Sequence, residues 1–98
     1  MAAFNVVRVR AKAGQEEALL DIHRNRDLHP GMRSLNLVKT GEREYLFIGE
    51  WDSMDAIVAA RPRMKTNLEE LRPLLEDLGG DLGVTDPRSG EAVVSRTG

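Results

Sequence analysis

Hydrophobic and polar residues alternate along four segments of the chain, and this two-residue period predicts four β-strands. The first segment, residues 4–12, is rich in β-branched side chains and is expected to be partly covered on both faces. One face of this strand carries Asn5, Val7, Val9 and Ala11, and the other carries Phe4, Val6, Arg8 and Arg10. Residues 32–39 and 44–51 predict a hairpin around the glycine-containing turn 40–43. The last segment, residues 91–96, predicts a final strand.

Between the first two predicted strands, apolar residues recur at three- and four-residue spacing and predict a helix over residues 15–26. Gly14 is expected to be its N-cap, and the two glutamates that follow favour the positive end of the helix dipole. The His-Pro-Gly turn at residues 29–31 is expected to end the helix.

A second helical segment follows the hairpin. Residues 52–55 resemble a capping box in which Asp52 accepts hydrogen bonds from the first-turn amides. The apolar stripe of this segment consists of Ile57, Met64, Leu68, Leu71, Leu75 and Leu78. Because Pro62 suits the start of a new helix and Pro73 removes an interior amide donor, we expect two or three helical pieces.

The predicted order β-α-β-β-α-β is typical of the ferredoxin-like α+β fold, an antiparallel four-stranded sheet with both helices on one face. We therefore predict a single domain over residues 1–98. The other sheet face is predicted to expose a set of apolar side chains that nothing in the chain covers: Phe4, Val6, Tyr45, Phe47 and Trp51. Since an uncovered apolar face of this size usually marks a partner surface, we expect a two-fold homodimer joined through it.

Composition narrows the function classes. The chain has 98 residues and no cysteine, which excludes disulfides, thiolate metal sites and a cysteine nucleophile. Its 14 basic and 16 acidic residues give a net charge of −2, so no nucleic-acid partner is expected. No apolar run approaches the roughly 18–20 residues of a membrane span, and residues 1–10 do not resemble a signal peptide. We expect a cytoplasmic protein without a membrane partner.

Four short motifs resemble the dimeric α/β-barrel superfamily, and within it the antibiotic biosynthesis monooxygenase family. The motifs are Val7-x-Val9, Gly14-x-Glu16, Pro30-Gly31-Met32 and the run Gly49-Glu50-Trp51-Asp52-Ser53-Met54-Asp55-Ala56. The resemblance covers residues 4–78 and consists mainly of turn, cap and packing positions. It implies a dimeric α/β barrel whose pocket lies between the sheet and the helices. It further implies a cofactor-independent monooxygenase that acts on a small phenol-like or quinol-like molecule.

A haem-degrading branch of the same family uses an asparagine on the first strand and a tryptophan and a histidine on the second helix. In this chain those positions fall on Val7, near Ala60 and within residues 61–65, which contain no histidine. The resemblance therefore implies neither haem cleavage nor any other cofactor.

Four residues are candidates for the pocket. Asn5 is a candidate for hydrogen bonding a substrate oxygen, although a strand-end asparagine bonded to backbone explains it as well. His23 is a candidate base because histidine titrates near neutral pH; the alternative is an exposed helix histidine. Trp51 either stacks on a flat ligand or packs at the dimer barrel, as do its face neighbours Tyr45 and Phe47. Arg61 precedes the predicted helix break and is a candidate for binding substrate.

Two further groups have a structural and a functional interpretation. Arg8 and Arg10 either bind an anion or pair across the sheet with Glu44 or Glu50, and we favour the pairing. Four residues with side chains that can bind metals lie close together in the sequence: Asp21, His23, Asp27 and His29. In a helix, however, only His23 and Asp27 share a face, so no metal site is predicted.

The absence of a recognisable catalytic set keeps a second function open. The alternative to an enzyme is a non-catalytic dimer of the same fold that binds a small molecule or serves in a larger assembly. Fold alone cannot choose between them, because one fold supports many functions.

Overall fold

Four strands and two helices follow one another in the order βαββαβ in the computed structural model, which describes all 98 residues. The elements are β1 (Ala3–Arg10), α1 (Glu16–Arg24), β2 (Met32–Gly41), β3 (Glu44–Trp51), α2 (Met54–Leu71), a 3-10 helix (Arg72–Leu74) and β4 (Asp86–Glu91). The strands form one antiparallel sheet in the order β2-β3-β1-β4. This is the predicted ferredoxin-like α+β fold. Neither helix is long and apolar enough to span a membrane.

The register of β1 against β3 decides which side chains face the helices. Ala3 lies opposite Trp51 and Val9 lies opposite Tyr45. Because directly opposed residues of an antiparallel pair point to the same side, the β1 face that begins with Asn5 joins the β3 face that carries the aromatic side chains. These side chains pack against α1 and α2, so the prediction that Tyr45, Phe47 and Trp51 lie on the uncovered face was wrong.

The sheet face away from the helices is lined by a different set of apolar residues. It carries Phe4 and Val6 from β1, Val38 from β2, and Leu46 and Ile48 from β3, which alternate with the helix-facing residues. No element of the chain packs on this face. An uncovered apolar face therefore exists as predicted, but only Phe4 and Val6 of the predicted set belong to it.

Ion pairs cross the same open face. The Arg8 guanidinium lies 3.5 Å from carboxylate oxygens of Glu44 and of Asp86, and Arg10 lies 3.8 Å from Glu44. The predicted pairing across the sheet with Glu44 or Glu50 is thus confirmed, and Glu44 is the partner of both arginines. Glu50 pairs instead with a β2 arginine, Arg33, at 3.7 Å.

Two apolar clusters join the sheet to the helices. The larger contains Val9, Ala11, Leu19, Tyr45, Leu71 and Leu75. The smaller contains Ala3, Trp51, Ile57 and Ala60. Because the clusters lie at opposite ends of the helix-covered face, the middle of that face is left for a cavity.

Both helix starts differ from the sequence prediction. Gln15 precedes the first residue of α1, and Gly14 lies one residue earlier in a turn with φ of +80°. At the start of α2, Ser53 accepts the Ala56 amide at 3.2 Å, while Asp52 binds Arg33 at 2.7 Å. Asp52 was wrongly predicted as the cap because several residues in this segment can cap, and the arginine that engages Asp52 lies on β2.

The second helix passes through Pro62 without interruption, contrary to the predicted break, and gives way to the 3-10 helix at Pro73. An interior proline removes one amide donor. In α2 the unpaired acceptor is the carbonyl of Val58, a residue that is half exposed, so water can replace the lost bond.

The last strand was predicted at residues 91–96, but it spans Asp86–Glu91. Residues 86–91 are polar and include Pro87 and Gly90, which are poor strand formers. They are a strand because their backbone pairs with β1 from Ala3 to Arg8. The β-branched pair that suggested the later strand, Val93 and Val94, is 86% and 78% exposed.

Candidate functional site

A cavity of about 550 Å³ lies between the helix-facing side of the sheet and the helices. Half of its 24 lining residues are hydrophobic, and polar side chains enter at a few points. This size and this lining are typical of sites for small organic molecules. Among the four predicted site residues, Asn5, His23 and Arg61 line the cavity. Trp51 is fully buried and does not reach the cavity surface.

His23 lies in the last turn of α1 with its ring against Phe47, at 4.7 Å between ring centroids. Its Nδ1 is 2.8 Å from the Leu19 carbonyl oxygen. Because a carbonyl only accepts, Nδ1 carries the hydrogen of the neutral ring and Nε2 holds the free electron pair. Burial lowers the pKa of His23, an effect partly opposed by the bond to Leu19. His23 is therefore a neutral proton acceptor at pH 7, not an exposed helix histidine.

Asn5 is held by a side chain, not by backbone. The Trp51 indole Nε1 donates to Asn5 Oδ1 at 2.7 Å across the β1–β3 pair. No buried side-chain nitrogen or oxygen lacks a partner, so the second amide group, Nδ2, reaches accessible space. Since Asn5 lines the cavity, Nδ2 is available to donate to a ligand oxygen.

Gly49 makes room for this pair. It lies directly opposite Asn5 on β3. An alanine Cβ at position 49 would overlap Asn5 Oδ1 and would lie 2.8 Å from Met32 Cε and 2.9 Å from Trp51 Nε1. The absence of a side chain at Gly49 is therefore what lets the Asn5–Trp51 hydrogen bond form.

Replacing Gly49 with alanine is expected to lower the free energy of unfolding by about 1–3 kcal/mol, the usual range for overpacking a core. The measurement is urea unfolding followed by circular dichroism. Gly90→Ala is the matched control, because a Cβ at this strand glycine would meet no atom within 4 Å. Equal effects of the two substitutions would contradict the steric role of Gly49.

His29 was not among the predicted site residues. It lies in the loop before β2, stacks on Trp51 at 5.9 Å between centroids with planes 14° apart, and lines the cavity. Asn67 Nδ2 lies 3.3 Å from His29 Nε2, which accepts in the neutral ring. Burial lowers the pKa of His29, with smaller contributions from the positive charges of Arg63 and Arg26. No local sequence signal indicates this site role, because its partners come from β3 and α2.

Lowering the pH from 7 toward 5 is expected to reduce stability. The unfolded chain takes up protons at His23 and His29 near pH 6.5, whereas both folded-state pKa values lie below 6.5. The unfolded state therefore binds more protons as the pH falls through 6.5, and stability falls with it. The slope cannot exceed about 1.4 kcal/mol per pH unit for one proton, and the contribution of His29 is the smaller because its ring is closer to solvent. Urea unfolding at a series of pH values measures this slope.

The variant His23→Asn is the control for that slope. It should unfold with a smaller pH dependence between pH 5 and 7, because one of the two titrating groups is gone. A slope equal to that of the unsubstituted chain would show that His23 is not responsible.

Tyr45 is a structural residue in this arrangement. It is buried, and its hydroxyl donates to a Glu16 carboxylate oxygen at 3.0 Å, while Lys39 binds the same oxygen at 3.1 Å. Hydrogen bonds from Lys39 and Tyr45 lower the pKa of Glu16, and burial raises the pKa of Tyr45. A role in stacking a flat ligand does not fit this position.

The acidic and histidine side chains of the first helix region do not assemble into a metal site. Asp21 binds Arg24, and His23 binds backbone. No group of three or more His, Cys, Asp or Glu side chains that could hold a metal ion occurs in the chain.

Comparison of sequences identifies no relative: no protein-family model matches the chain, and no curated protein sequence matches it significantly. Comparison of structures does find similar proteins. A protein named as an antibiotic biosynthesis monooxygenase from Chloroflexus aurantiacus superimposes with a TM-score of 0.73 at 19% identity, covering 99% of this chain and 98% of that one.

Two further structures extend the comparison. A monooxygenase from Streptomyces coelicolor, solved with nanaomycin D, gives a TM-score of 0.72 at 17% identity and covers 99% of this chain and 92% of its own. The haem degrader MhuD from Mycobacterium tuberculosis, solved with two haems in its active site, gives 0.64 at 16% identity, with 97% and 99% covered. The chain therefore has the fold shared by proteins named as antibiotic biosynthesis monooxygenases, as its sequence motifs indicated.

Proposed function

We propose that the chain is a monooxygenase that oxidises a small phenol-like or quinol-like molecule in the cavity between the sheet and the helices. The observation that carries the proposal is the neutral imidazole of His23, which lines an apolar cavity with Nδ1 already bound and Nε2 free. A general base must be unprotonated at working pH, and the lowered pKa of His23 meets that condition.

The chemistry needs no metal or flavin, because the substrate supplies the electrons. His23 Nε2 takes the phenolic proton, and the Asn5 amide donates to the resulting oxyanion. The electron-rich ring, for example that of an anthrone in its enol form, then reacts with O2 at the ring carbon opposite the oxyanion, which carries one hydrogen. The resulting peroxide takes the proton back from His23 and loses water together with that carbon's hydrogen. The carbon becomes a carbonyl, so one oxygen atom of O2 is retained and the other leaves as water. The apolar part of the lining would keep water away from the reacting ring.

Oxygen consumption with a panel of hydroxylated anthrones and naphthols tests the proposal. We expect consumption above the buffer rate with at least one anthrone, together with formation of the corresponding quinone in equal molar amount. Consumption at the buffer rate with every member of the panel would contradict it.

The second candidate function is non-catalytic binding of a small molecule in the same cavity. One observation favours it: His23 is oriented by a backbone carbonyl, whereas a carboxylate partner would raise its basicity. Calorimetry with the same panel separates the two, since a binder shows saturable heat without turnover.

We also propose that two copies associate through the open sheet face. This face carries apolar side chains. Beside them lie positive and negative charges, in the ion pairs that Arg8 forms with Glu44 and Asp86. A two-fold contact places the same patch on both copies, so it requires a patch that is complementary to itself. The sheet–sheet layer would bury the apolar side chains that the helices leave uncovered.

Sedimentation tests the dimer. We expect a species of twice 10.9 kDa at micromolar concentration, and a monomer for Ile48→Asp, which puts a charge in the open face. The matched control is Val58→Asp, since Val58 lies half exposed on α2. A monomeric unsubstituted chain, or dissociation by Val58→Asp alone, would contradict the proposal.

A further inference from the structure

Positive charge without a partner is concentrated in one short segment. Among the 14 basic residues, five form no ion pair: Lys12, Arg61, Arg63, Lys65 and Arg96. Three of these five lie within residues 61–65 of α2. The chain as a whole carries a net charge of −2, so this local excess is not a consequence of composition.

Two of the three charges belong to the cavity. Arg61 and Lys65 are four residues apart, which places them on one face of α2, and both line the cavity. Two other arginines along the cavity wall are already neutralised. Arg26 binds Glu70 at 2.6 Å, and the Arg88 guanidinium binds Asp86 at 2.8 Å on the open sheet face.

The lining contains little to oppose these cations. Asp27 is the only acidic residue that lines the cavity, and it forms no ion pair. The third unpaired residue of the segment, Arg63, does not line the cavity, but its charge lowers the pKa of the lining residue His29. The α2 side of the cavity is therefore electropositive.

The remaining wall suits a flat ring system. Met32, Met54 and Met64, which are three of the four methionines in the chain, line the cavity and pack around the cluster that contains Trp51. Methionine side chains adapt to the shape of a ligand, and their sulfur atoms make favourable contacts with aromatic rings. The cavity thus combines an adaptable apolar wall with two unpaired cations.

We propose that the cavity binds aromatic carboxylates, with the ring system among the three methionines and the carboxylate on Arg61 and Lys65. A hydroxyl group on the same ring would meet Asn5 and His23. This last assignment rests on the proposed function and narrows its substrate class from phenols to hydroxyaryl carboxylates.

Calorimetry with 1-hydroxy-2-naphthoate and with its uncharged methyl ester tests the proposal. In low salt the acid is expected to bind about tenfold more tightly than the ester, the advantage of one or two charge-assisted hydrogen bonds after solvent screening. High salt should shrink that preference, because both cations are exposed. Equal binding of acid and ester, or binding of neither, would overturn the proposal.

The double substitution Arg61→Met/Lys65→Met should remove the preference for the acid, so that acid and ester bind with equal affinity. The control double substitution Lys12→Met/Arg96→Met removes the same charge from residues outside the cavity and should keep the preference. A loss of preference in the control would show that net charge, not the cavity, selects the acid.

Oxygen consumption is measured separately on the same samples. Selective binding of the acid without turnover would support this inference and contradict the monooxygenase. Turnover of uncharged anthrones without a preference for acids would support the monooxygenase and contradict this inference.

Discussion

The variant His23→Asn is expected to oxidise its best substrate about 100- to 10,000-fold more slowly than the unsubstituted chain, the usual contribution of a general base. Asparagine is chosen because its amide NH2 can replace Nδ1 and donate to the Leu19 carbonyl, whereas nothing replaces Nε2. The substitution therefore removes the proton acceptor and keeps the helix contact. The measurement is kcat/KM from oxygen consumption.

A pH profile distinguishes a base from a packing residue. In the unsubstituted chain, kcat/KM should fall on the acid side of the profile as His23 becomes protonated. This fall should occur below pH 6.5, the usual pKa of histidine, because burial lowers the pKa of His23. This acid limb should disappear in His23→Asn. An unchanged limb, or a rate within tenfold of the unsubstituted chain with the fold intact by circular dichroism, would exclude His23 as the base.

Trp51→Ala is expected to lower the free energy of unfolding by about 3–5 kcal/mol, the range for removing a buried aromatic side chain. Trp51 is fully buried, packs against Ile57 and Ala60, stacks on His29 and donates to Asn5. Its removal leaves a void at one end of the sheet–helix layer. Urea unfolding is followed by far-ultraviolet circular dichroism, because the variant lacks the only tryptophan.

Trp51→Phe separates the hydrogen bond from the packing. It keeps an aromatic ring but leaves Asn5 Oδ1 without its donor, and we expect a smaller loss of about 1–2 kcal/mol. A double-mutant cycle with Asn5→Ala should give a coupling energy of about 1 kcal/mol. A coupling near zero would mean that the bond does not hold Asn5.

Part of the candidate site could be predicted from single residues. Asn5 and His23 were predicted from their chemistry and their places on a strand and a helix, and both line the cavity. Arg61 also lines the cavity, but it was predicted from a helix break at Pro62 that does not occur. His29 and Lys65 were missed. The position of His29 in the site depends on its stacking against Trp51, and the charge of Lys65 is available because no acidic residue pairs with it. Both features are set by distant parts of the chain.

The strand pattern could likewise be predicted in part. The alternation over β1 and β3 defined two faces for each strand, but it could not determine which faces match. Pairing Ala3 with Trp51 places Tyr45, Phe47 and Trp51 under the helices and leaves Leu46 and Ile48 on the open face. The last strand shows the same limit, because residues 86–91 are a strand through pairing with β1 and not through propensity.

The sequence by itself determined the order of elements, the ferredoxin-like fold and the candidate polar residues, since periodicity and turn chemistry are local properties of the chain. Only the tertiary structure decided which sheet face is open, where the last strand lies and how the site is assembled. These features depend on register and on contacts between residues far apart in the chain, such as Asn5 with Trp51 over Gly49. Local pattern does not encode such contacts; packing against the rest of the fold selects them.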